Sequence, residues 1–378
     1  MTPSTNTRVL HVMAGLQPSG MEMMFLSSAR EWSRHGVCSE ILATAPEVGP
    51  LAPRLIEAGY AVHHLPFRSS RRYLPSTEFV TGFQRLCRDG RFDVVHLHTE
   101  EASPLFALLA RSAGVRRLAL TMHNSFHFTG KLRARKIAER AFLRLMGARF
   151  GFVSDAVAAN EAHRFHNRGV RITNWVDTAR FRPPTVAERQ AARQQLGLDD
   201  DTTAILTIGN CNEAKNHGAL LEALALLPTG KDLVYLHVGR EQPDAPERSH
   251  ATALGISDRV RFAGSQADVL PWLWASDLFA MPSLHEGLAI APLEAIAAGC
   301  PALLTSVDGL AELATAASHA VFSAPAPNAI AEALGALLAR PAEKRRAKAL
   351  IDSSTLSAAF SPALGVASIC RLLYGIED

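Results

Sequence analysis

Cysteine is scarce and scattered in this sequence. The five residues, Cys38, Cys87, Cys211, Cys300 and Cys370, are odd in number and form no C-x-x-C pair, so a disulfide framework is disfavoured and a reducing, cytoplasmic setting is the simpler expectation. Long apolar runs are lacking too. The start, MTPSTNTRVLHVMAGL, holds no run of signal length, and a charge is expected to interrupt every apolar stretch before about 18 residues. No transmembrane segment is therefore expected, and any membrane contact would have to be peripheral. An excess of one charge is also missing: 39 Lys and Arg against 36 Asp and Glu leave a net +3, too little to argue for nucleic acid as a partner. G-x-G-x-x-G is absent as well, which removes the dinucleotide fingerprint and disfavours a dehydrogenase.

What is present is length and alternation. At 378 residues the chain exceeds what one core usually serves, and a prior of ~150 residues per domain suggests two. RVLHVMAG (8–15) reads as a buried parallel strand ending in turn residues, followed by QPSG and a helical MEMMFLSSAREWSRHG that stops at Gly36. Strand, small-residue loop and helix in that order bring backbone close to phosphate. The runs CSEILAT, AVHHLPF, DVVHLH and RLALTMH alternate with helical segments such as 75–89 and 101–113, predicting a parallel sheet with helices on both faces. Functional loops of such sheets lie at the carboxyl ends of strands, and His98 and His123 fall at two of those ends. TAILTIGNCNEAKNHGALLEALALLP repeats the pattern later, with Lys215 just ahead of its helix. There the ammonium and the helix mouth act together on an anion.

The most informative stretch is MPSLHEGLAIAPLEAIAAGCP, residues 281–301. A Ser/His/Gly loop runs into an Ala-rich helix of roughly 290–298, with Pro292 in its first turn and Gly299 just past its end. Glu286 precedes the helix and Glu294 lies on its second turn. The amides of Leu288, Ala289 and Ile290 then face out of the helix mouth, a phosphate-attracting position. Two carboxylates beside an anion site suit a ligand that also donates hydroxyls, as a nucleotide sugar does. A surface glutamate and a locally paired one fit the spacing equally well.

PSLHEGLAIAPLEAIAAGCPALLTSVDGLAEL resembles the signature PS-x-x-EG…EA-x-A-x-G-x-P…G-x-x-E of the retaining glycosyltransferases of family 4, the glycosyl transferases group 1. The resemblance implies an α/β protein of GT-B fold, with two Rossmann-like parallel-sheet domains facing across a cleft. It implies that Glu286 approaches the donor sugar's hydroxyls, that Glu294 reads the ribose, and that the intervening amides hold the diphosphate. Gly20-Met21-Glu22 resembles the family's Gly-Gly-x-Glu loop, with Ser19 for the first glycine. His123, in TMHNSF, resembles a histidine placed beside the reacting sugar, so catalytic roles fall to His123, Lys215 and Glu286. Asn210 departs from the family's G-R-x-x-x-x-K by standing where arginine grips the diphosphate, which removes one cation. The V-R-F-x-G turn resembles a base-binding loop and makes Arg261 and Phe262 candidates to flank the nucleobase; packing within a strand is the equal alternative.

GFVSDAV and ITNWVDTARFRPP resemble the end of the family's first domain, although Trp175 replaces a usual glycine. The expected boundaries are an acceptor-side domain over 1–180, a linker over 181–200 containing Pro183, Pro184 and ERQAARQQ, a nucleotide-sugar domain over 201–355, and a C-terminal helix over 356–378 crossing back. The helix within 131–150 has apolar positions at 138, 141, 142, 145 and 146 among seven Lys and Arg and one Glu. Such a helix can rest on an anionic membrane or present a solvated face. The expectation is a cytoplasmic enzyme, peripheral at most to the inner face of a membrane. It moves a hexose-type sugar from a nucleoside diphosphate sugar, UDP slightly favoured, to a carbohydrate, lipid-linked or small-molecule acceptor without metal or other cofactor. A sugar-nucleotide epimerase, a phosphorylase or a non-catalytic nucleotide-sugar binder remain alternatives.

Overall fold

Two parallel sheets organise the chain, seen in a computed structural model that describes residues 6–67, 75–228 and 232–376. The first sheet holds β1 (Thr7–Met13), β2 (Val37–Ala43), β3 (Ala61–His64), β4 (Val94–Leu97), β5 (Arg117–Met122), β6 (Ala148–Phe152) and β7 (Val170–Arg171). Its order is β3-β2-β1-β4-β5-β6-β7. The second holds β8 (Thr203–Ile208), β9 (Leu233–Val238), β10 (Val260–Phe262), β11 (Leu278–Met281), β12 (Ala302–Thr305) and β13 (Val321–Ser323), ordered β10-β9-β8-β11-β12-β13. Every pairing is parallel. Continuous apolar runs buried on both faces produce this, with helices as the crossovers. In each sheet the connections leave in opposite directions from two adjacent central strands, β1 and β4 or β8 and β11. The loops after those strands are where ligands of such sheets bind.

One compact unit runs to Trp175 and resumes at Pro362; the other is Val176–Ser361. In the first, Trp175 fits where a glycine was expected because its ring is 1% exposed and its Nε1–H donates to the Met24 carbonyl at 2.9 Å. The segment from Pro362 is anchored by Tyr374, whose hydroxyl bonds His96 Nδ1 at 2.6 Å. In the second, Ile205, Leu221, Tyr235, Leu278, Leu303 and Leu334 lie in one apolar cluster.

Two expectations need correction. The stretch taken as a linker is a helix of the second unit, Val186–Gln195, closed by a capping box between Thr185 and Glu188. Its Arg189 and Arg193 reach Asp277 at 2.8 and 3.2 Å, and that pairing holds a charged segment against the unit. Thr185→Ala is expected to lower stability by about 1 kcal/mol and leave the denaturant slope unchanged; an unaltered urea midpoint would refute it. The second correction concerns apolar length. Residues 353–370 carry no charge, and one helical run, Ala342–Tyr374, has an 18-residue window of mean hydropathy 1.5, apolar enough by length and composition to cross a membrane. Pro362 begins a separate helix there, and Val366, Ile369, Leu373 and Tyr374 are buried in the first unit, so a protein core already occupies its apolar side.

Candidate functional site in the second unit

The loops after β8 and β11 converge at the switch point. Asn212 caps the short turn 213–215 by accepting from the Lys215 amide at 3.1 Å. Asn216 follows in a left-handed conformation, and its Nδ2 donates to the carbonyls of Pro282 and Pro325, each at 3.0 Å. The Leu284 amide donates to the Ala214 carbonyl at 2.8 Å, and Thr305 Oγ1 donates to the Ser283 carbonyl at 2.6 Å. Both loops are thus tied to one another and to the neighbouring strand.

That scaffold joins two of the expected residues. Lys215 Nζ lies 2.6 Å from Glu286 Oε1, which also accepts from Ser283 Oγ at 2.7 Å. Oε1 is doubly engaged, and among the described residues Oε2 is the oxygen open to a hydroxyl donor. The Glu286 side chain is 8% exposed and that of Lys215 22%, so the pair is poorly screened and can act strongly on an entering charge.

The helix beyond is Ile290–Ala297, with Ala289 as an extended N-cap that offers no capping side chain. Ala289 thus supplies no side-chain acceptor to the amides of the first turn. Gly299, at φ +71°, supplies the left-handed stop. Gly309 packs under the loop so closely that a Cβ there would fall 1.2 Å from the Gly287 carbonyl oxygen, and its amide donates to the Glu286 carbonyl at 3.3 Å. Glu294 is buried on the helix's second turn. Burial pushes its carboxyl up to about 8, Arg180 opposes, and Asp268 and Asp177 add to the rise. It is a largely neutral acid at pH 7.

The remaining candidates divide. Asn210 keeps its place, but its Oδ1 accepts from the Arg240 amide at 2.9 Å. The backbone of Arg240, an exposed residue directly after Gly239, therefore adjoins Asn210. Arg261 and Phe262 both make contacts within the second unit. Arg261 Nη1 donates to the carbonyls of Leu196 and Gly197 at 3.0 and 3.3 Å, and the Phe262 ring lies 4.7 Å beneath the Arg248 guanidinium and 5.5 Å from His237.

In the first unit, Gly20 opens the helix Gly20–Arg34 with Ser19 as its extended N-cap, and Ser19 Oγ bonds the buried Glu22. His123 stands just past β5 at the end of a hydrogen-bonded file. Its Nε2 lies 3.2 Å from His98 Nδ1, His98 Nε2 lies 3.1 Å from His11 Nδ1, and His11 Nε2 lies 3.3 Å from Ser39 Oγ. Burial holds His123 down to about 4 and His98 and His11 well below the usual imidazole range. The file is therefore neutral at pH 7, and each ring fixes the tautomer of the next. A metal would have to compete for these nitrogens. His11, His96 and His98 have both ring nitrogens hydrogen-bonded. In the second group, Cys211, His217 and His237, His237 gives Nε2–H to the Gly209 carbonyl at 2.9 Å, while His237 Nδ1 and both ring nitrogens of His217 are buried with no hydrogen-bond partner among the described residues.

Comparison with known proteins agrees with this architecture. Residues 188–350 match the family described as glycosyl transferases group 1, and residues 18–180 that described as Glycosyltransferase Family 4. D-inositol 3-phosphate glycosyltransferase 1 of Catenulispora acidiphila is 28% identical over 373 residues, covering 90% of this chain and 87% of its own. The lipopolysaccharide core biosynthesis mannosyltransferase LpsB of Rhizobium meliloti is 30% identical over 154 residues, covering 39% and 43%. Among solved structures, Anabaena HepE in complex with UDP-glucose superposes with a TM-score of 0.82 at 18% identity, covering 97% of this chain and 99% of that one. With two doubly wound parallel sheets of GT-B type and both halves matched, the chain belongs to the group 1, family 4 glycosyltransferases.

Proposed function

We propose that the protein transfers a hexose-type sugar, from a UDP-sugar in preference to other nucleoside diphosphate sugars, to an acceptor hydroxyl with retention of anomeric configuration. The observation that carries this reading is the Lys215–Glu286–Ser283 cluster beside the N-terminus of the helix Ile290–Ala297 at the β8/β11 switch point. Lys215 and the helix amides stabilise charge on the departing diphosphate, Arg240 supplies the cation that Asn210 lacks, and no metal is called for. Glu286 Oε2 accepts from a sugar hydroxyl and Glu294 from the ribose. The bond from the anomeric carbon to the phosphate oxygen breaks as the acceptor oxygen attacks from the same face, and its proton passes to the leaving phosphate. His123, neutral and tautomerically fixed, positions the donor hydroxyl and the acceptor, with Gly20 giving backbone access to phosphate.

HepE, which binds UDP and UDP-glucose, and LpsB, named for lipopolysaccharide core biosynthesis, support a UDP-sugar donor and an acceptor that is a carbohydrate, a lipid-linked saccharide or a small molecule. Such acceptors suit an enzyme at the cytoplasmic face of a membrane. A panel of nucleoside diphosphate sugars, tested by thermal shift with chelator present, should single out a uridine donor. A donor at 100 times its dissociation constant stabilises by about 2.7 kcal/mol. Equal shifts for all bases, or a shift only after metal addition, would overturn those parts of the reading.

A further inference from the structure

The second unit buries ring nitrogens that its own packing does not use. His217, the first residue of the helix His217–Leu226, is 2% exposed, and His237, on β9, is 0% exposed. Both ring nitrogens of His217 and Nδ1 of His237 have no hydrogen-bond partner among the described residues. The carbonyls of Gly209 and Asn210 lie near the His217 ring, yet neither closes a hydrogen bond with it. Leaving a buried polar atom unpaired is costly, so three of them on adjoining rings point to a partner that is not protein.

A second observation is what surrounds them. Cys211, buried in the loop after β8, sets its Sγ 3.6 Å from His237 Nε2, and the rings of His217 and His237 meet edge to face with centroids 4.7 Å apart. One ligand atom from each of the three lies within 4.8 Å of the others, close enough for one ion to draw them together. The neighbouring charges suit a cation. Glu241, near His237, is already held by Arg248 at 2.6 and 2.9 Å, and Lys215, near His217, by Glu286 at 2.6 Å. That leaves Glu247, which acts on both Cys211 and His237 and whose Oε2 is buried without a partner among the described residues.

We propose that Cys211, His217 and His237 hold a zinc ion, with the Glu247 carboxylate taking the fourth position. A thiolate with two imidazoles and a carboxylate is a zinc donor set, too poor in oxygen for magnesium or calcium. The thiol proton leaves to solvent as the ion binds. Once one nitrogen of a ring takes the ion the other must carry the proton, and the carbonyls of Gly209 and Asn210 are acceptors at hand. The ligands come from the loop after β8, the helix His217–Leu226, β9 and the helix Pro246–Ala253. Cys211 and His217 bracket the turn that carries Lys215, so the ion fixes that turn from both ends and takes no part in bond breaking. The assignment does not rest on the donor chemistry, because metal content reads it directly.

The full chain, expressed with zinc in the medium and dialysed against a chelator, is expected to retain about one zinc per chain by elemental analysis and to release it on unfolding. Cobalt put in its place should show the ligand-field bands of a tetrahedral ion and a thiolate charge-transfer band. Both readouts use the unaltered protein, so a variant that fails to fold cannot obscure them. Cys211→Ser and His217→Gln should each lower zinc affinity by about 100-fold or more, while Cys38→Ser, at an exposed thiol, should bind as the parent does. Amide exchange over 209–217 should quicken when zinc is removed from the parent. Failure to bind retained or added zinc, a cobalt spectrum without the thiolate band, or full affinity in Cys211→Ser would overturn the assignment. So would zinc lost on His98→Gln instead, which would move the ion to the histidine file of the first unit.

Discussion

Lys215→Ala is expected to lower kcat by about 10²–10³-fold, the cost of deleting one preorganised electrostatic group from a site where charge develops. The ammonium sits 2.6 Å from Glu286 in the free protein, so donor binding must redirect it from a carboxylate to a diphosphate whose charge grows as the sugar leaves. An interaction that strengthens along the reaction appears in kcat more than in KM. Truncation also leaves Glu286 supported on Oε1 by Ser283 alone. Lys215→Arg serves as the control: a retained cation should recover part of the rate, whereas a purely structural role would not distinguish charge from shape. Transfer measured with saturating donor decides the matter, and turnover by Lys215→Ala equal to that of the parent protein would contradict the role given to this residue.

Much of the second unit's site was legible because its signals are local. Pro292 and Gly299 bracket a helix expected over 290–298, and the observed helix is Ile290–Ala297 with Gly299 at positive φ. Strand–loop–helix alternation likewise places Lys215 and Glu286 after strands, though only the sheet order reveals that β8 and β11 are neighbours and the switch point. Non-local pairing hid the rest. Arg261 has the right motif neighbours, but the carbonyls that occupy it belong to Leu196 and Gly197, far away in sequence. ERQAARQQ looks like a solvated connection until Asp277 arrives to pair its arginines. Periodicity located the apolar stripe of the helix Gly130–Leu145 without showing which side is inside, since Glu100 and Glu161 make burial of Lys136 and Arg140 tolerable. The histidine file needed three strands in register: His11 and His96 are direct partners on β1 and β4, and His98 and His123 follow the ends of β4 and β5.

Glu294 carries the other large expectation, a loss of stability with rising pH. Its carboxyl is pushed up to about 8 when folded, by burial first, and returns to the ordinary range near 4.5 when the chain unfolds. Between those values the folded protein holds one proton that the unfolded chain releases. The stabilisation is therefore complete below about pH 4.5 and declines as pH rises toward 8, by up to about 1.4 kcal/mol per unit and on the order of 5 kcal/mol in all. Glu294→Gln, neutral throughout, should lack this slope: urea midpoints of the two proteins should nearly coincide at pH 5, and the variant should be the more stable at pH 8.5. Ligand binding should reverse the advantage. Ribose hydroxyls donate best to an ionised carboxylate, so the parent protein's affinity for a nucleoside diphosphate should rise between pH 6 and 8 with release of a proton, and the variant's should stay flat. If Glu294→Gln kept the parent's pH slope in both stability and affinity, the buried proton would belong to another group and the ribose contact assigned to Glu294 would lose its support.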